Sequence, residues 1–194
     1  MKHPDIIEIS LKIVRVFEKL GIAYHISGSL ASSAFGIPRA TVDVDIVADI
    51  KQEQASPIEE SLKEEFYVDT EMIRNAIEHQ SSFNLIHLET MFKVDVFVLK
   101  TQPFDKQAFL RRFQKPVSED SSRQLFFATP EDTILNKLKW CKIGGCISDR
   151  QWSDVLGVLK VQGKQLDTVY LKQWAEELNI SDLLKKALDE AGLL

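Results

Sequence analysis

The reading of this chain turns on His25-Ile26-Ser27-Gly28-Ser29-Leu30-Ala31, followed by Pro38-Arg39-Ala40-Thr41-Val42-Asp43-Val44-Asp45-Ile46-Val47. The second part alternates with a period of two, which predicts a strand over 41–47. Val42, Val44 and Ile46 then leave one face for a core, while Thr41, Asp43 and Asp45 leave the other. Two carboxylates this close repel, and one is driven protonated unless a cation sits between them. Oxygen-only ligands suit Mg²⁺ or Mn²⁺ better than zinc. The alternative for this pair is a solvated face of an edge strand. Gly28-Ser29 falls between a short strand at 22–27 and a short helix at 30–35. A helix start there offers free N–H groups to a phosphate, and glycine lets the backbone approach it closely. The Ser29 hydroxyl adds a donor, and Arg39 or Thr41 is placed to hold the same phosphates.

Further along, Phe92-Lys93-Val94-Asp95-Val96-Phe97-Val98 reads as another buried strand, with Asp95 opposite Val94, Val96 and Val98. A lone carboxylate among apolar neighbours costs several kcal/mol, so Asp95 needs a metal or an ion-pair partner such as Lys93 or Arg39. The remaining periodicity predicts helices over 6–20, 57–65, 71–79 and 104–113. It also predicts strands over 83–88 and 92–99, as a hairpin turning at Glu89-Thr90, and over 124–128. Thr129-Pro130-Glu131-Asp132 is a helix start: a Thr cap, proline at the first helical position, then acids in the first turn. Beyond it the chain reads helical over 131–142, 149–161, 167–178 and 181–191. The shift in composition at Ala128 divides the chain into 1–128, a mixed α/β domain, and 129–194, a helical one.

Bulk properties narrow the class. With 44% apolar and 27% charged residues the chain reads as an ordinary globular protein. No apolar run approaches the ~20 residues of a membrane-spanning helix. The first residues lack a secretory core, so the expected location is the cytoplasm. A net charge of −5 speaks against coating nucleic acid by charge alone. Cys141 and Cys146 are expected to be reduced structural thiols. His25, His79 and His87 lack metal-ligand spacing. Trp140, Trp152 and Trp174 fall at helix positions suited to packing, with base stacking the alternative for Trp140. Lys106, Arg111, Arg112 and Lys115 read as a solvated basic helix face, with an RNA-facing patch the alternative.

Taken together, Gly28-Ser29, thirteen intervening residues, Asp43-Val44-Asp45 and the later Asp95 resemble the nucleotidyltransferases related to DNA polymerase beta. The resemblance implies an α/β (α+β) nucleotidyltransferase fold, a mixed sheet flanked by helices, with a C-terminal helical domain after it. It implies transfer of a nucleoside monophosphate from an NTP to an acceptor by two-metal in-line displacement. Asp43, Asp45 and Asp95 would be both metal ligands and catalytic residues for two Mg²⁺ or Mn²⁺ ions, with Asp95 helping to activate the acceptor hydroxyl. Pro130-Glu-Asp-Thr-Ile-Leu-Asn-Lys137-Leu, with Ser148-Asp149-Arg150-Gln-Trp-Ser-Asp154, is similar to the second domain of bacterial toxin-like and abortive-infection nucleotidyltransferases. Lys137, and Asp154 or alternatively Asp149, would then complete a nucleotide site with Gly28, Ser29, Arg39 and Thr41. From the residues alone, Lys137 reads equally as an exposed helix lysine, and Arg150 and Asp154 as a surface i,i+4 pair. The acceptor stays open among tRNA or other RNA ends, protein groups and small molecules. The competing class is a catalytically inactive nucleotide-binding module acting on a partner.

Overall fold

The computed structural model describes residues 6–41, 43–117, 123–145 and 148–194. Among them lie seven strands in one mixed sheet, and contacts divide the chain into two compact units.

The first unit comprises Met1–Ser27 and Thr41–Phe127. It opens with α1 (Ile6–Lys19), whose buried stripe of Ile9, Ile13, Val14 and Phe17 follows the helical period. Gly21, at φ 68°, takes the left-handed conformation that ends such a helix. The strands are β1 (Tyr24–Ser27), β2 (Asp43–Ala48), β3 (Phe66–Tyr67), β4 (Ser82–His87), β5 (Lys93–Val98), β6 (Phe113–Pro116) and β7 (Gln124–Phe127), in the order β3-β4-β5-β2-β1-β7-β6. β2 runs parallel to β5 and β1 parallel to β7, while the other neighbours are antiparallel. On one face Ile26, Val44, Ile46, Val94, Val96 and Leu85 are fully buried. Each such side chain contributes roughly 1.5–3 kcal/mol of transfer free energy. β4 and β5 form the expected hairpin.

Local periodicity misses what non-local pairing creates. The helix expected over 104–113 ends earlier, as α5 (Pro103–Leu110), because Phe113–Pro116 is drawn into β6 by pairing with β7. The two-residue β3 exists only through its pairing with β4. The helices expected over 57–65 and 71–79 are present as α3 (Ala55–Leu62) and α4 (Thr70–Glu78).

The second unit comprises Gly28–Ala40 and Ala128–Leu194. It contains α2 (Gly28–Phe35), α6 (Pro130–Ile143), α7 (Asp149–Gln162), α8 (Thr168–Glu177) and α9 (Ser181–Glu190). The Thr129 side chain caps α6 as its sequence indicates, accepting from the Asp132 amide at 3.1 Å. Segment 28–40, expected within the α/β domain 1–128, groups by its contacts with these helices. A Cβ at Gly36 would stand 2.7 Å from the Val158 nitrogen, so only glycine admits this backbone-to-backbone approach of α2 to α7.

Cys141 is buried on α6, and Cys146, the other cysteine of that expectation, lies outside the described residues. Trp140 is half exposed rather than packed. No helix among the described residues is long and apolar enough to cross a membrane.

Candidate active site

Register decides which side chains meet on the second face of the sheet. Asp45 pairs with Asp95 across the parallel β2–β5 ladder and with Ser27 across β1, and Asp95 pairs in turn with Asn84 on β4. Partners in register share a face, at a strand spacing of about 4.8 Å. A single row therefore reads Asn84, Asp95, Asp45, Ser27. Asp43 lies two residues before Asp45 on the same face, beside its register partner Lys93. The three acids named from sequence are thus brought together from two strands.

Their partners are local. The Lys93 ammonium lies 2.8 Å from Asp95 Oδ2, one of the two ion pairs that the sequence allowed for this acid. Its hydrogen bond to Asp95, with the charges of Asp95, Asp43 and Asp45, raises the Lys93 pKa against the opposing effect of desolvation. The Thr41 hydroxyl stands 3.0 Å from both Asp43 Oδ1 and the Asp43 carbonyl oxygen, so Thr41, expected at the phosphates, is engaged by Asp43 here. Among the described residues no group of three His, Cys, Asp or Glu side chains is preassembled as a metal cage. The donor set nevertheless fits a hard divalent cation: the oxygens all belong to carboxylates, they share one face, and one ammonium already answers to all three.

The helical unit has a charged cluster of its own. Asp154 on α7, its side chain 5% exposed, accepts from Arg39 Nε at 2.8 Å and Nη2 at 2.9 Å, a bidentate pair. It also accepts from Lys137 Nζ at 2.8 Å. Arg39 Nη2 further donates to Ser29 Oγ at 2.7 Å. Burial pushes the Asp154 carboxyl up, but the hydrogen bonds and charges of Arg39 and Lys137 overcome it and hold the group below the usual aspartate value. Four residues named as nucleotide-binding, Ser29, Arg39, Lys137 and Asp154, therefore converge. Lys137 is buried within the stripe of Ile134, Leu138 and Cys141, not exposed. Asp154 takes Arg39 and Lys137 as partners rather than forming the i,i+4 surface pair with Arg150. Gly28, at φ 57°, turns the chain from β1 directly into α2, which places Ser29 in the first turn of that helix.

Two features escaped the sequence. Asn84 carries no local signal, because its place beside Asp95 comes from pairing with a neighbouring strand. Arg112, expected on a solvated face, lies over the Phe109 ring at 4.3 Å and the Phe126 ring at 5.5 Å. The Phe109 ring also contacts His25, whose pKa burial and the nearby Arg112 charge push down to about 3.

No protein-family model matches the sequence, and no curated protein matches it. Solved structures do. The antibiotic-resistance factor ANT(2'')-Ia superposes at TM-score 0.54 over 94% of this chain and 99% of its own, at 11% identity. An antigenic nucleotidyltransferase-like protein from Paracoccidioides brasiliensis reaches 0.52 over 89% and 90%, at 17% identity. The lincosamide antibiotic adenylyltransferase LnuA, with lincomycin bound, gives 0.50 over 82% and 99%, at 13% identity. The chain has the nucleotidyltransferase fold. At these identities the likeness speaks for the fold, and the chemistry rests on the residues described above.

Proposed function

We propose that this chain is a metal-dependent nucleotidyltransferase that moves a nucleoside monophosphate from an NTP to an acceptor hydroxyl or phosphate. The observation that carries this reading is the register pairing of Asp45 with Asp95, with Asp43 on the same face. Asp43, Asp45 and Asp95 would hold two Mg²⁺ or Mn²⁺ ions, which supply charge neutralisation at the triphosphate and at the attacking and leaving oxygens. The acceptor oxygen forms a bond to the α-phosphorus while the bond to the pyrophosphate oxygen breaks. When the acceptor is a hydroxyl, Asp95 accepts its proton. The helical unit's part is anion binding: Arg39 and Lys137, fixed by Asp154, bind phosphate oxygens together with Ser29 and the first-turn amides of α2. Gly28 admits the close backbone approach.

The fold is shared with the lincosamide antibiotic adenylyltransferase LnuA and with ANT(2'')-Ia, solved in complex with adenylyl-2''-tobramycin, which supports a small hydroxylated molecule as acceptor. The test is incubation with each labelled NTP, Mg²⁺, and in turn cell RNA, lysate protein and a panel of hydroxylated small molecules. Label transfer with pyrophosphate release is expected from wild type and not from Asp45→Ala. No transfer under any condition, with NTP binding unaffected by EDTA, would mark the chain as a nucleotide-binding module without catalysis.

A further inference from the structure

Lys93 is the group on the acid-bearing face that cation binding leaves unexplained. It stands two residues before Asp95 on β5 and is the register neighbour of Asp43 on β2. Its side chain is 45% exposed while that of Asp95 is 15% exposed, so the acid, not packing, anchors the ammonium. Three carboxylates on adjoining strands repel one another, and one positive charge among them relieves part of that repulsion. A divalent cation held by Asp95 would stand beside the ammonium on Oδ2, where the two like charges repel and draw on the same carboxylate. The ammonium and the ion therefore compete.

We infer that Lys93 is a tethered counter-ion: it holds the three acids together in the metal-free protein and is displaced from Asp95 when a divalent cation binds, thereby setting the affinity for that ion. The inference rests on the reading of Asp43, Asp45 and Asp95 as metal ligands. It makes Lys93 a positioning residue whose charge matters more than its shape. Removing the charge then loosens the metal-free protein and strengthens metal binding, whereas a purely structural ion pair would do only the first. Arginine in its place keeps the competition.

The experiment is titration with Mn²⁺, followed by electron paramagnetic resonance of the free ion, on wild type, Lys93→Gln, Lys93→Arg and Asp45→Asn. At low salt Lys93→Gln is expected to bind Mn²⁺ about five-fold tighter than wild type, a gap that narrows as salt screens the charges. Lys93→Arg should stay close to wild type. In EDTA, Lys93→Gln should melt below wild type, and Mg²⁺ should raise its melting temperature by more than it raises that of wild type. Equal or weaker Mn²⁺ binding by Lys93→Gln overturns the counter-ion role while leaving the metal site in place. Wild type that binds no Mn²⁺, or binds it no better than Asp45→Asn, overturns the metal reading and this inference with it.

Discussion

The sheet unit and the helical unit each gather charges around carboxylates, with opposite balance. On the sheet face, Asp43, Asp45 and Asp95 lie together around the Lys93 ammonium, which pairs with Asp95 and feels the charge of all three. In the helical unit the proportion reverses, with Arg39 and Lys137 both held by Asp154. The first group is partly exposed and carries excess negative charge. The second is built on a buried acid and carries excess positive charge. The difference teaches what the proposed chemistry asks of each region: a cation at the acids and an anion at Arg39 and Lys137.

The comparison breaks most completely at the acids. Asp45→Ala or Asp43→Ala should lower turnover by about three orders of magnitude, several kcal/mol of transition-state stabilisation, while circular dichroism remains that of a folded chain. Pyrophosphate release measures the loss, and near-normal turnover would remove the pair from the chemistry. In the helical unit the corresponding change should act on stability. Asp154→Ala leaves Arg39 and Lys137 without their shared acid and should cost about 3 kcal/mol in urea unfolding. A smaller and more specific effect is expected of Lys137→Ala, whose NTP affinity should fall about ten-fold at low salt and less at high salt. Unchanged affinity by calorimetry would assign Lys137 to structure alone.

Acidification sharpens the contrast most gently. His25, depressed in the folded state to about 3 from an ordinary value of 6.5, binds its proton more readily when the chain is unfolded. Its contribution is therefore intact above pH 6.5 and is lost as pH falls toward 3, at up to about 1.4 kcal/mol per pH unit. Asp154 is depressed from 3.8, so its contribution is intact above that value and is lost only below it. Urea titrations between pH 7 and 5 should show stability declining in wild type and nearly flat in His25→Phe. A slope shared by both proteins would remove His25 as its source.

Much of this was legible because it is local. Alternation placed Asp43, Asp45 and Asp95 on strand faces opposite their valines, and the capping pattern at Thr129-Pro130 located the start of α6. What sequence could not supply was pairing. Nothing in residues 113–116 announces a strand until β7 lies beside them. Nothing in Asn84 announces its place next to Asp95. The same holds for Asp154: its i,i+4 spacing from Arg150 suggested a surface pair, whereas its partner Arg39 is 115 residues away. Segment 28–40 reads as a loop and short helix adjoining β1, yet its packing surface is α7.

That packing has a consequence for the arginine. Asp154, Gly157 and Val158 lie within about one turn of α7, so a single helix face meets both Gly36 and Arg39. The turn at 36–40 is therefore held by backbone contact as well as by the Arg39–Asp154 pair. Its ordering entropy is settled during folding and is not charged against ligand binding, which is preorganisation. An Arg39→Ala chain should keep this turn in place, so that any change in its NTP affinity reports on the missing guanidinium rather than on a disordered loop.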